Sequence, residues 1–499
     1  MSRQRLYRQT SASTDSKGAV TRSKTSASRS LHRAAISDRS RFGASGLPPV
    51  AASSRRITVW SRLKPSRSAV ARSRDSKNTL HFKILGFILQ GMKRACEPLF
   101  AEYLAAFPCI AILGPRQCGK TTLAGSLPAD WRRFDLERGS DRDLVARDPD
   151  LFFRLHPRRV VIDEAQLLPD LFPALRVAID ADRSSAGRFV ITGSSSPSLL
   201  RRVSETLAGR IATIELAPFA WSEVHPSPGG PNFADLLADR FATAAQFLSL
   251  RARGDIQQVH DYWLRGGYPE PWLKPADRFR AMWMSQYVKT YVERDIGRLF
   301  PGLDQDRFRL FLQHLAGLSG TIINHADVAR GLGVSPPTAR DYFEIAHGTF
   351  LWRRLPPYVK QATKRLVKHS KGHLRDSGLL HRLLHLADLD ALLGHPQAGR
   401  SWEAMVSEEI LRQLEWRGLD CGAFFYRTSA GAEIDLVLEG DVGLVPIEIK
   451  STHTIDRRRL AALREFVADR RCRYGIVITN DSEPRLLDEA IVAIPFSHL

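Results

Sequence analysis

The sequence predicts an α/β protein of about three folded parts behind an unstructured basic tail. Three observations carry that prediction. An apolar run, Cys109 to Leu113, opens into Gly114-Pro-Arg-Gln-Cys-Gly-Lys-Thr121 and then a helical pattern. A second apolar run, Val160 to Ile162, ends in the paired acids Asp163 and Glu164. Near the C-terminus two more strand-like runs carry Asp435 and Glu448-Ile-Lys450. Strand, glycine turn and helix in succession are the units of a parallel sheet covered by helices.

Residues 1–91 hold 19 Lys and Arg against three acids, Asp15, Asp38 and Asp75, so +16 of the net +20 sits there and the remainder is nearly neutral. The overall charge is therefore no argument that the body binds nucleic acid. Residues 1–80 are rich in Ser and Arg, lack Glu and show no apolar periodicity; they cannot bury enough surface to offset ordering entropy and read as disordered. Three readings fit this tail: a basic arm for nucleic acid or a membrane surface, an organellar transit peptide, or translated sequence upstream of a start at Met92. The whole chain, 43% hydrophobic and 25% charged, has a globular composition. No apolar run approaches the ~18 residues of a membrane span. Five scattered cysteines (Cys96, Cys109, Cys118, Cys421, Cys472) form no CxxC pair, which argues against a disulfide framework or zinc site and for a reducing, cytoplasmic setting.

Each motif has a physical reason. Gly114, Pro115, Arg116, Gln117, Cys118, Gly119, Lys120 and Thr121 fit GxxxxGK[ST], a phosphate-binding P-loop, with Thr122 opening the helix. Glycines let the turn wrap around phosphates, successive N–H groups form an anion nest, and the helix N-terminus adds its dipole. Lys120 is expected to neutralise the β- and γ-phosphates and Thr121 to ligate Mg²⁺. About forty residues on, Asp163 is expected to hold Mg²⁺ opposite Thr121, and Glu164 to polarise the attacking water. A third strand, Arg188 to Thr192, leads into Gly193-Ser194-Ser195-Ser196, where Thr192 or Ser194 takes a sensor role at the γ-phosphate. Arg210, in Leu207-Ala-Gly-Arg, is a candidate to stabilise transition-state charge, in cis or on a neighbour's nucleotide. The second case requires a homo-oligomer.

GPRQCGKTTL, VVIDEAQ, ITGSSSPSLL and LAGRI, in that order, resemble a large prokaryotic family of AAA-type ATP-binding proteins. Its members join the ATPase to a C-terminal domain of unknown function, and the similarity runs from about Met92 to the C-terminus. The resemblance implies ATP rather than GTP, since no base-reading motif is present, and an ATPase domain over 92–235. Residues 236–300 read as a helical extension. They contain Gly266-Gly-Tyr-Pro-Glu270 and Tyr287-Val-Lys-Thr-Tyr-Val-Glu-Arg294-Asp295-Ile, segments that in the family link the ATPase to the C-terminal half. Arg294 and Asp295 read as a helix-packing ion pair or as a coupling to that half.

Residues 301–360 carry a helix-turn-helix pattern: Phe308 to Leu318, Asn324 to Leu332, a Gly333-Val334 turn, and Pro336 to Ala346 capped by Ser335. Phe350 to Tyr358 then reads as the wing of a winged helix. Two uses stand open. The third helix could read DNA through Thr338 and Arg340 with Arg353 and Arg354 on phosphates, or the unit could serve packing alone.

Over 361–499, Asp435 on one strand and Glu448 and Lys450 at the end of the next fall on one edge, because residues two apart share a strand face. Glu403 on an upstream helix adds a third acid. Carboxylates around a divalent cation, with a lysine beside them, suit metal-assisted phosphodiester hydrolysis. The arrangement resembles the PD-(D/E)xK restriction-endonuclease-like fold, which implies metal ligation by Glu403, Asp435 and Glu448, with Lys450 beside the metal. A helix from Arg457 to Ala468 and a strand from Tyr474 to Ile478 complete that topology. Ile434 stands where the fold usually has Pro. Lys371 and Asp376 align with a family KxxxxD stretch whose aromatic positions are missing here, and are assigned only a strand and its cap. The expected function is an Mg²⁺-dependent ATPase whose nucleotide state moves the C-terminal half, with DNA as an open partner. The alternatives are an ATP-gated nuclease and a nucleotide-switched adaptor that cuts nothing.

Overall fold

The computed structural model describes residues 93–194, 205–274, 276–300, 302–359, 369–428, 431–452, 455 and 460–499, without the side chains of 292–294 and 298. The basic tail with Met92, Ser195, Ser196, the Arg294 side chain and the expected helix start at Arg457 lie outside the described residues. What is described belongs to the unit Ser68–Leu499.

The N-terminal part is a five-stranded sheet of order β2-β3-β4-β1-β5, all neighbours parallel. Its strands are β1 (Cys109–Gly114), β2 (Arg132–Asp135), β3 (Val160–Asp163), β4 (Phe189–Ser194) and β5 (Ile211–Glu215). Every residue of β1 is buried, as expected of a central parallel strand covered on both faces. Helices α1 (Glu97–Ala106), α2 (Lys120–Gly125) and α3 (Leu171–Ala181) pack on it. The register sets Gly114 beside Ser194, so the C-terminal ends of β1, β3 and β4 share one edge. Ligands of open parallel sheets bind at that edge.

The middle part comprises α4 (Ile256–Arg265), α5 (Asp277–Thr290), a π-helical turn over Tyr291–Ile296, and α6 (Gln305–Leu318). Asp304 caps α6 by accepting from Arg307 N, which starts the helix three residues before the expected Phe308. Then come β6 (Thr321–Ile322), α7 (His325–Leu332), α8 (Pro336–Gly348), β7 (Trp352–Leu355) and β8 (Lys371–Leu374), with an antiparallel sheet β6-β8-β7. Because β8 pairs with both other strands, this sheet extends beyond residue 360, where sequence reading ended the unit. Phe308, Phe311, Leu315, Tyr342, Phe343 and Trp352 form its core.

The C-terminal part holds α9 (Ser377–Leu383), α10 (Ala398–Glu415), a meander β9 (Cys421–Arg427), β10 (Glu433–Gly440) and β11 (Gly443–Ile449), α11 (Ala461–Arg470), β12 (Gly475–Thr479), β13 (Arg485–Asp488) and β14 (Ile491–Pro495). The sheet order is β13-β14-β12-β11-β10-β9, with β11, β12 and β14 mutually parallel. Its core includes Trp402, Leu436, Tyr474 and Phe496 together with Trp221, Phe233, Phe247 and Trp263 from far upstream. The first half of the expected helical extension is thus built into the C-terminal core. Burying each such aromatic is worth roughly 1.5–3 kcal/mol, which decides where the segment sits. Among the described residues no helix is long and apolar enough to cross a membrane.

Candidate functional site

The glycine turn lies at the C-terminal edge of β1. Its fit to phosphate is visible in three features. A Cβ on Gly114 would stand 2.1 Å from Leu216 O, so only glycine allows the loop to leave the strand there. Gly119 (φ 104°) caps α2 and turns its first N–H groups into the loop. The Lys120 ammonium, almost fully buried, donates to Gly114 O (3.1 Å) and Pro115 O (2.8 Å), so a cation is held inside the turn. Cys118 contributes backbone only: its side chain belongs to the core, and burial pushes the thiol pKa up. Gln117 adopts a left-handed φ of 59°. Thr122 lines a cavity of about 350 Å³ beside α2, with Arg94, Glu97, Leu123, Phe219 and Pro269.

Thr121 Oγ1 donates to Asp163 Oδ2 at 2.7 Å, the juxtaposition that the two motifs predict. Thr192 Oγ1 donates to the other Asp163 oxygen and receives Glu164 N at 3.3 Å. A hydroxyl and a carboxylate that face each other across a phosphate turn form a donor set fitting Mg²⁺, which when bound would neutralise β,γ-phosphate charge. Glu164 has a left-handed φ of 55°. Its Oε2 accepts from Ser194 Oγ (2.9 Å), Ser194 N (3.4 Å) and Gln166 Nε2. Burial pushes the Glu164 carboxyl up, but Lys120 and the Gln166 and Ser194 donors outweigh it and hold it below the usual range. Glu164 is thus ionised, as a base must be.

Two loop arginines depart from expectation. The Arg116 guanidinium is engaged by acids: it ion-pairs with Asp295 on the π-helical turn and lies 3.4 Å from Glu137. Asp295 therefore reaches the P-loop itself, where sequence reading gave the choice between helix packing and coupling. Arg210 is fixed by Asp180 through Nε (2.7 Å) and Nη2 (3.0 Å). It precedes Ile211, which is level with Cys109 at the start of β1. The P-loop leaves the other end of that strand, about 15 Å away at the strand rise.

In the C-terminal part, β10 and β11 bring Asp435 opposite Glu448 as expected. Asp435 Oδ2 accepts from Ile449 N (2.8 Å) and lies 3.6 Å from Lys450 Nζ, which stands 2.5 Å from Glu448 Oε1. Glu403 on α10 joins them. The addition is Lys371. Its ammonium, buried on β8, stands 3.1 Å from Glu403, 3.4 Å from Glu433 and 3.7 Å from Asp435. Burial and the neighbouring Asp435 charge push the Glu403 carboxyl up to about 7, and the same two causes push Glu448 up to about 7. Among the described residues no group of three His, Cys, Asp or Glu side chains is placed to hold a metal ion, and the Lys371 ammonium stands beside both Glu403 and Asp435.

Comparison with known proteins bears on both sites. The AAA domain family model matches residues 106–225, and two domains of unknown function, DUF8612 and DUF4143, match 256–390 and 398–499. The uncharacterized protein Rv2008c of Mycobacterium tuberculosis and the uncharacterized protein Mb2031c of Mycobacterium bovis are each 34% identical over 393 residues, covering 78% of this chain and 80% of theirs. The chain belongs to their family of AAA-domain proteins. Among solved structures, the Walker-type ATPase PABY2304 of Pyrococcus abyssi aligns over 58% of this chain and 94% of its own, at TM-score 0.35 and 15% identity. The N-terminal part of this AAA-domain protein is a P-loop ATPase domain.

Sequence reading missed what joins the ATPase domain to the rest. Glu408 of α10, 1% exposed, receives Arg353 Nε (2.5 Å), Arg375 Nε (3.0 Å) and His373 Nε2 (3.0 Å). Burial pushes its carboxyl up, yet the two arginines beside it hold it well below the usual range. Arg375 also ion-pairs with Glu215, the last residue of β5 and the register partner of Leu113 just before the P-loop. Arg353 reaches Glu415 at 3.2 Å. It is therefore not a phosphate contact, and Arg354 is engaged by Glu344 at 2.6 Å. Thr338 faces Ser335 Oγ at 2.8 Å, while Arg340 is exposed. Asp376 caps α9 as expected and also receives Gly267 N (2.8 Å), tying it to the Gly-Gly-Tyr-Pro segment. The one signal for this network was the alternation Lys371, His373, Arg375, three nitrogen-bearing side chains on one face of an extended segment.

Proposed function

We propose that this protein is an Mg²⁺-dependent ATPase whose nucleotide state is transmitted to its C-terminal domain. The observation that carries the reading is the Glu215–Arg375–Glu408 chain of ion pairs, buried at Arg375 and Glu408 and half-buried at Glu215. It begins on β5, at the register partner of Leu113 just before the P-loop, and ends on α10, the helix that holds Glu403. Buried charges of this kind tolerate no half-made arrangement, so a shift at β5 has to be passed on or opposed. The Arg116–Asp295 pair supports the same reading from the other side of the loop. Thr121 and Asp163 would hold Mg²⁺, Lys120 would bind phosphate, and the cavity beside Thr122 suits a nucleobase. Arg210, facing away from its own site, suits a neighbour's nucleotide in a homo-oligomer.

The middle unit reads as a winged helix, supported by its helix–strand–helix–helix–strand–strand order. The C-terminal unit reads as restriction-endonuclease-like, supported by the order α10, three-strand meander, α11 and the parallel β12. With Lys371 among its carboxylates, the C-terminal site favours a switch over a cutter, and no cleavage step is derived for it.

Hydrogen exchange with and without ATPγS tests the coupling. Binding is expected to alter exchange in 398–415 as well as in 109–125, and Lys120→Ala is expected to abolish both changes. A response confined to residues 93–225 would refute the coupling.

A further inference from the structure

The Walker-type acid Glu164 is not alone in its turn. Its left-handed backbone (φ 55°) folds the adjoining three-residue 3₁₀ turn, Ala165–Leu167, back on itself, and this returns Gln166 to the side of Glu164. Gln166 Nε2 donates to Glu164 Oε2 and to Ser194 Oγ at 3.1 Å, while Ser194 Oγ donates to the same Glu164 oxygen at 2.9 Å. A carboxylate only accepts, so the amide nitrogen must face it, and the amide orientation is fixed by chemistry. That leaves Gln166 Oε1 buried and without a hydrogen-bond partner among the described residues. A buried amide oxygen without a donor is costly to a fold, and such a group next to a catalytic base calls for a reason.

We infer that Gln166 positions the attacking water together with Glu164. The inference rests on the ATPase reading above. All three donors converge on Glu164 Oε2, which locks the carboxylate and leaves Oε1 of Glu164 to take the water's proton. Gln166 Oε1 accepts the water's other hydrogen. In the step, the water oxygen bonds to the γ-phosphorus and the bond to the β,γ-bridging oxygen breaks. ADP leaves with that electron pair, and the proton held on Glu164 passes to solvent. Two acceptors on one water fix the direction of its lone pair, which is how a positioned base gains over bulk water. The strained backbone at Glu164 is accounted for in the same way: the left-handed turn is what sets residues 164 and 166 on one water.

The test compares wild type with Gln166→Leu and Gln166→Glu in steady-state ATP hydrolysis from pH 5.5 to 8.5, with affinity for a fluorescent ATP analogue and melting temperature measured alongside. Gln166→Leu is expected to lower kcat at least about tenfold while nucleotide affinity stays within about twofold. Gln166→Glu is expected to recover activity relative to wild type as pH falls, because a protonated carboxyl again offers one donor and one acceptor. The Gln166→Leu defect is expected to be the same at every pH. A Gln166→Leu variant with wild-type kcat overturns the inference, as does one that loses kcat, affinity and melting temperature together, or a Gln166→Glu variant without pH-dependent recovery. A wild-type protein that binds the analogue yet hydrolyses no ATP fails the ATPase reading itself, a separate result.

Discussion

Lys371 Nζ stands 3.1 Å from Glu403 Oε2, the shortest of three ion pairs by which this buried ammonium joins the middle sheet to the C-terminal acid cluster. The lysine's pKa is raised: burial alone would lower it, but Glu403, Asp435 and Glu433 more than offset that. Lys371→Met should destabilise the protein by about 3–5 kcal/mol, the cost of removing one partner from a buried pair. Adding Glu403→Gln to Lys371→Met should return part of the loss, since the two residues share one interaction. Chemical denaturation of the two single variants and the double variant measures the coupling, and simple additivity would refute it.

The acid cluster also sets a pH dependence. Glu403 and Glu448 titrate near 7 in the fold against roughly 4.3 in an unfolded chain. A raised folded pKa contributes stability that is complete below the unfolded value and lost as pH rises through the folded one. The melting temperature of Glu403→Gln is therefore expected to gain on wild type between pH 5 and pH 8, by a few degrees. Parallel curves for the two proteins would contradict the assignment.

At the nucleotide site, Glu164→Gln should bind ATP normally and hydrolyse it about 10²–10⁴-fold more slowly. Lys120→Ala should lose binding as well. Equilibrium binding of a fluorescent analogue separates the two.

Glu408→Ala leaves Arg353 and Arg375 buried with one counter-charge fewer. A loss of about 3–5 kcal/mol is expected, much larger than for Arg354→Ala, whose partner Glu344 is exposed and whose pair is worth about 0–1 kcal/mol. Thermal unfolding of both variants makes the comparison.

Arg210→Ala should leave ATP binding intact. Hydrolysis should fall only under conditions where the protein is assembled, and a mixture with Lys120→Ala should regain activity, because the latter still presents Arg210 to its neighbour. A defect equal at all protein concentrations would return Arg210 to a structural part with Asp180.

The P-loop, the Asp163–Glu164 strand end and the Ser194 strand tip were legible because each is a local pattern, with strand, turn and helix written in consecutive residues. Asp435, Glu448 and Lys450 were legible for the same reason, lying on one hairpin. Lys371 was not: its partners lie 32 to 64 residues away in the chain, and no periodicity encodes which strand will approach α10. The same holds for Glu215 and Arg375. Arg353 misled because an arginine on a wing strand looks alike whether it faces solvent or a buried glutamate. Residues 221–263 misled because an amphipathic helix states that it has a partner without saying which.

Strand β8 has a mechanical consequence. Lys371 and His373 on the strand and Arg375 just past its end are each answered by an acid of α10 or β5. A slide by one residue would turn all three to the other face at once, so β8 has no partial setting. Force arriving at Arg375 can reach Lys371 only by moving the strand whole, like a rigid key whose teeth either all engage or all miss.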